Sequence, residues 1–113
     1  LTGYCLLLPD PVVANLNVMQ AEQRKTFLYE MSLLGDVILE ITGALRINYE
    51  MIGNVEPALH AHLFPRYADE PEALRLKPVW FYDWEKAPAF DEKRDTPLML
   101  EIAKRLKQRN LTI

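Results

Sequence analysis

Phe27, Met31, Leu34, Ile38 and Ile41 recur at steps of four, three, four and three. That spacing lines them up along one side of a helix with 3.6 residues per turn. An apolar stripe this long must be buried against another element, and strand-like runs lie on both sides of it in the sequence. Thr2 to Leu8 is apolar, ends at Pro9 and is followed by the turn signal Asp10-Pro11. Ala44 to Met51 carries Ile47, Tyr49 and Met51 with Asn48 and Glu50 between them, and Ala58 to Pro65 is again apolar apart from its histidines. Asn17 with Gln20 three residues on reads as a capping box, and Thr42-Gly43 reads as a stop, so the helix is predicted to end near Ile41. Gly35 sits inside it at a cost of about 1 kcal/mol relative to alanine, which close packing against a sheet would offset. Gly53 to Pro57 is a turn, so the two later strands form an antiparallel hairpin. The order strand, helix, strand, strand predicts an α+β fold, an antiparallel sheet with one long helix packed across it.

The tail has a different texture. Residues 67–96 hold Pro71, Pro78 and Pro88, many charges and the cluster Trp80, Phe81, Tyr82 and Trp84. This predicts mostly loop with one short extended piece, the aromatic residues serving chiefly as packing. Thr96 followed by Pro97 predicts the start of a C-terminal helix over 97–109, with Leu98, Ile102 and Leu106 as its stripe. One hundred and thirteen residues, half of them apolar, make one domain over 1–113.

Charge excludes some functions. A net charge of −3 argues against nucleic acid and against an anionic membrane surface, both of which need a basic patch. No run is long enough to span a bilayer. Cys5 is the single cysteine, so no internal disulfide and no cysteine-based zinc cluster can form, which suits a reducing, cytoplasmic setting. Cys5 itself reads as a small buried hydrophobe. The chain opens on Leu1, not on a methionine, so an N-terminal segment is expected to be missing.

The chemistry concentrates in Pro57-Ala58-Leu59-His60-Ala61-His62-Leu63-Phe64-Pro65-Arg66, which holds the only two histidines. On a strand, residues two apart share a face, so Ala58, His60, His62 and Phe64 are predicted on one side and Leu59, Ala61 and Leu63 on the other. Two imidazoles meeting on one spot, with a reference pKa of about 6.5, can attack phosphorus, shuttle a proton or bind a metal near neutral pH.

This segment resembles the signature of the histidine triad (HIT) family, His-x-His-x-His-x-x with apolar x, often followed by Pro-Arg. Pro65-Arg66 sets the register: His62 stands at the third position, His60 at the second and Ala58 at the first. Asn48 and Gly53-Asn54 match the family's asparagine and Gly-Gln or Gly-Asn pair. Gly3-Tyr4-Cys5-Leu6-Leu7-Leu8-Pro9 resembles its Gly-His-x-Leu-x-x-Pro strand, with Val12 where a further histidine is often found. The resemblance spans residues 3 to 66. It implies a HIT-like hydrolase or transferase acting on nucleotide α-phosphates, of phosphoramidate or dinucleoside polyphosphate type, and a two-fold homodimer. It assigns His60 as nucleophile, through a nucleotidyl-histidine, and His62 to phosphate stabilisation. Asn48, Asn54 and Gly53 would bind substrate. No cofactor and no metal is implied.

Other readings stay open on residues alone. Ala58 and Val12 would suit a nucleotide-binding module without turnover. His60 and His62 would also serve as two ligands of a metal, with Glu50 or an aspartate of the tail as a third. Two histidines satisfied by backbone carbonyls are the plainest alternative. Arg66 is as readily a structural ion pair as a phosphate ligand.

Overall fold

The computed structural model of the chain describes residues 2–52, 54, 57–84 and 91–109. Three strands, β1 (Cys5–Leu7), β2 (Arg46–Glu50) and β3 (Ala61–Arg66), form one sheet in the order β1-β3-β2, antiparallel throughout. The long helix α1 (Ala21–Thr42) packs across it, and the C-terminal helix α3 (Glu92–Gln108) packs on α1. This is the predicted α+β arrangement.

The stripe on α1 builds the core. Phe27, Leu34 and Ile38 are buried, Met31 and Ile41 pack at the margin, and Val37, outside the predicted stripe, is fully buried beside them. They meet Leu59, Ala61 and Leu63 from the sheet side and Ile102 and Leu106 from α3. Cys5 packs at the edge of this cluster, and its burial raises the thiol pKa. At Gly35 the Tyr49 side chain of β2 lies against the α1 backbone: a Cβ there would be 2.1 Å from the Tyr49 hydroxyl oxygen. Gly43, with φ 69°, ends α1, and its N–H bonds the Leu39 carbonyl.

Several boundaries differ from the sequence reading. Gln20 precedes α1 but its side chain caps nothing. Asn15 instead caps a separate 3-10 turn, Leu16–Val18, its carbonyl oxygen accepting from the N–H groups of Asn17 and Val18. The helix at the end begins at Glu92, five residues before Pro97, because Asp91 provides a stronger cap than Thr96. Its carboxylate accepts the Arg94 N–H at 2.9 Å, and Asp95 accepts the Asp91 N–H at 2.8 Å. Pro97 is carried inside the helix. The tail holds a short helix, α2 (Glu72–Arg75), preceded by Pro71, and a 3-10 turn, Val79–Phe81, preceded by Pro78; no strand occurs among its described residues. Its aromatics are not core. Trp80, Phe81 and Trp84 remain substantially exposed, and only Tyr82 is half-buried.

Candidate functional site

Alternation along β3 divides the sheet into two faces. Ala61, Leu63 and Pro65 are fully buried towards α1. His62, Phe64 and Arg66 point to the opposite face. Cross-strand partners share a face, so the register places Leu6 and Glu50 beside His62, and Asn48 beside Phe64. Tyr4, just before β1, stacks on Phe64 with centroids 4.5 Å apart.

The strand starts at Ala61, so Ala58 and His60 lie before it and not on it, contrary to the alternation predicted from Ala58 onward. The chain there is fixed by other means. Leu59 is buried in the core, and its N–H donates to the Val13 carbonyl at 2.7 Å. His60 nevertheless comes to His62, ring centroids 4.8 Å apart and planes at 78°. Its Nδ1 lies 2.7 Å from the Ala58 carbonyl oxygen. A carbonyl only accepts, so Nδ1 carries the hydrogen, and in the neutral ring Nε2 keeps its lone pair. Both rings are partly exposed. A hollow of about 240 Å³ opens beside His60, walled by Ala14, Leu16, Asn17, Met51, Ile52 and Ala58. A larger cavity, about 530 Å³, lies between Leu7, Val13, Phe27 and Leu34 and touches neither histidine.

His62 has a different partner. Its Nδ1 is 2.7 Å from the Tyr4 hydroxyl. Burial, then the neighbouring His60, push the His62 pKa below the ordinary histidine value, so the ring is neutral at pH 7. Burial, Cys5 and Glu50 push the Tyr4 phenol up. Glu50 is raised too, chiefly by burial against a weaker opposing pull from Arg66, and its Oε2 is buried without a hydrogen-bond partner.

The predicted ligands are less uniform. Asn48 is on the histidine face, but its Oδ1 already accepts from Arg66 Nη1 at 2.8 Å. Asn54 is exposed at a bend, and Gly53 lies outside the described residues. Val12 is exposed. Arg66 is a structural ion pair: buried, bidentate on Glu70, and bonded to the Leu74 carbonyl. Burial opposes ionisation of Glu70, yet hydrogen bonds from Arg66, Tyr82 and the Tyr67 N–H outweigh it and hold that carboxylate below its usual pKa. Burial and then the Glu70 carboxylate push Tyr82 up to about 12, against an opposing pull from Arg66. This buried knot ties the tail to the sheet and brings Trp84 within 5.9 Å of Phe64, its indole N–H donating to the Val79 carbonyl. The chemical roles of Tyr4 and Glu70 were not read from the sequence, and Glu50 was read there only as a third metal ligand. Tyr4 had a signal, since it occupies the histidine position of the Gly-His-x-Leu pattern. Among the described residues, no three His, Cys, Asp or Glu side chains converge as a metal site, Glu50 included.

No family model matches the chain, and no curated protein matches it. Solved structures do. A histidine triad protein from Bradyrhizobium japonicum is 22% identical with a TM-score of 0.78, the match covering 89% of this chain and 73% of that one. One from Sinorhizobium meliloti is also 22% identical, with a TM-score of 0.77 and the same shares, 89% and 73%. One from Marinobacter aquaeolei is 26% identical, with a TM-score of 0.75, covering 93% of this chain and 74% of that one. With its three antiparallel strands, crossing helix and paired histidines, the chain has the fold of the histidine triad proteins.

Proposed function

We propose that this protein is a HIT-like nucleotidyl hydrolase or transferase and that His60 is its nucleophile. The observation that carries this reading is the 2.7 Å contact from His60 Nδ1 to the Ala58 carbonyl, which leaves Nε2 as a lone pair beside a second, neutral imidazole. Nε2 attacks the α-phosphorus of a nucleoside phosphoramidate or dinucleoside polyphosphate. The N–P bond forms as the bond to the leaving group breaks, and that group departs with the electron pair and takes a proton from solvent. The positive imidazolium so formed keeps its Nδ1–H on the carbonyl. Water then attacks phosphorus and loses a proton to solvent, the N–P bond breaks with its electron pair returning to Nε2, and a nucleoside monophosphate leaves. His62 donates to the phosphoryl oxygens, where charge develops. The hollow beside His60 accommodates part of the substrate. Ala58 contributes through its main-chain carbonyl, which holds His60 Nδ1.

The decisive experiment is trapping. Protein mixed with a labelled nucleoside phosphoramidate and quenched should carry acid-labile label on His60, and His60→Asn should carry none and turn over nothing. Tight nucleotide binding without label or turnover in the wild type would make the protein a binding module instead. We further propose a homodimer joined along the free edge of β2, which pairs only with β3 among the described residues. Light scattering reads its mass directly.

A further inference from the structure

The two histidines are held by chemically opposite partners. A neutral imidazole has one donor nitrogen and one acceptor nitrogen, and whatever engages Nδ1 decides which is which. At His60 the partner is a carbonyl, which can only accept. At His62 it is a phenol, which can donate. We infer that Tyr4 is a positioning residue that fixes His62 in the tautomer opposite to that of His60: its O–H donates to Nδ1, and Nε2 becomes the ring's donor.

Three observations support that direction. The phenol O–H is a far more acidic donor than a neutral imidazole N–H, so O–H···N is the stronger pairing of the two. On the same face, the Asn48 Oδ1 accepts from Arg66 and the buried Glu50 Oε2 makes no hydrogen bond, so neither takes the phenol proton. Burial and the neighbouring Glu50 both disfavour the phenolate, which keeps Tyr4 a donor through neutral pH. Aromatic packing fixes the geometry. Tyr4, Phe64 and His62 lie nearly parallel, Tyr4 at 5° to Phe64 and His62 at 9° to it. The phenol therefore cannot swing off Nδ1 without breaking a stack.

The functional consequence rests on the reading of His60 as nucleophile. One strand end then presents a lone pair and an N–H side by side: His60 to bond phosphorus, His62 to hold its oxygens. Neither ring needs to change tautomer before substrate arrives.

The test reads the tautomers directly. In ¹⁵N-labelled protein, at a pH where both rings are neutral, long-range ¹H–¹⁵N correlations should show the hydrogen on Nε2 of His62 and on Nδ1 of His60. Tyr4→Phe keeps the ring and the stack but removes the hydroxyl. It should convert His62 to a mixture of tautomers, leave His60 unchanged, and lower kcat on a nucleoside phosphoramidate about tenfold, as loss of one hydrogen bond predicts, with little change in KM. A wild-type His62 protonated on Nδ1 would overturn the inference, as would a Tyr4→Phe spectrum identical to wild type. Absence of turnover in the wild type would count against the nucleotide reading alone, and the tautomer measurement would still decide the role of Tyr4.

Discussion

At the scale of single residues, what surrounds each polar group matters more than its type. His60 and His62 are the same side chain two positions apart, yet one faces a carbonyl and the other a phenol. Burial and the nearby His60 favour the neutral form of His62. Its folded pKa is below the unfolded one, so the unfolded chain takes up a proton first as pH falls past the usual histidine value of about 6.5. This contribution therefore costs stability only on the acid side and is silent above neutrality. A ring-proton titration should place the His62 midpoint below that of a free histidine. His60→Asn should move it part of the way back, because one of the two causes is removed while burial stays. Asn48 makes a second case. It lies on the histidine face, but its carbonyl oxygen accepts from the buried Arg66 guanidinium. Asn48→Ala leaves a buried charged donor one acceptor short, at a cost of about 1.5 to 3 kcal/mol. Urea unfolding should show that loss, even if substrate binding also weakens.

At the scale of elements, α1 and β2 meet through a missing side chain. A Cβ at Gly35 would lie 2.1 Å from the Tyr49 hydroxyl oxygen and 3.0 Å from its Cζ. Elsewhere in a helix, glycine to alanine gains about 1 kcal/mol. Here Gly35→Ala must displace the Tyr49 ring, so the gain should vanish or reverse in thermal melts. In a Tyr49→Ala background the same change should stabilise, and the difference between the two measures the contact. The cost of Gly35 was legible in the sequence, but the tyrosine that explains it was not, because the contact joins separate elements. The same division holds throughout. The α1 stripe was legible since helix periodicity is local, and Phe27, Leu34 and Ile38 all entered the core. The start of β3 was misplaced because strand limits depend on the partner: pairing with β1 ends at Ala61 opposite Leu7. The start of α3 was misplaced because the Asp91 carboxylate accepts the Arg94 N–H while Asp95 accepts the Asp91 N–H, a stronger device than Thr96 before a proline. The nearness of His60 and His62 was legible from the sequence but not its route, since His60 lies before β3, and the supports, Val13 under Leu59 and Tyr4 against His62, come from distant parts of the chain.

At the scale of the whole molecule, stability and proposed chemistry occupy opposite faces of one sheet. The core is built from α1, α3 and the inward residues of β3, and neither histidine belongs to it. The outward face is held by aromatic stacking and by the buried Arg66–Glu70 pair, which anchors the tail. This separation predicts that chemistry can be deleted without loss of the fold. A His60→Asn, His62→Asn double variant replaces two partly exposed rings with smaller polar groups and opens no cavity in the core. Each change gives up one hydrogen bond of a partly exposed ring, about 0.5 to 1.5 kcal/mol, so the melting temperature should fall modestly while the fold persists. Leu63→Ala, on the same strand one residue from His62, should instead cost about 2 to 5 kcal/mol, because Leu63 is fully buried between the sheet and α1. Calorimetry of the two variants side by side is the check. A double variant as unstable as Leu63→Ala would make the histidines structural, and their convergence on the outer face would then need an explanation other than catalysis.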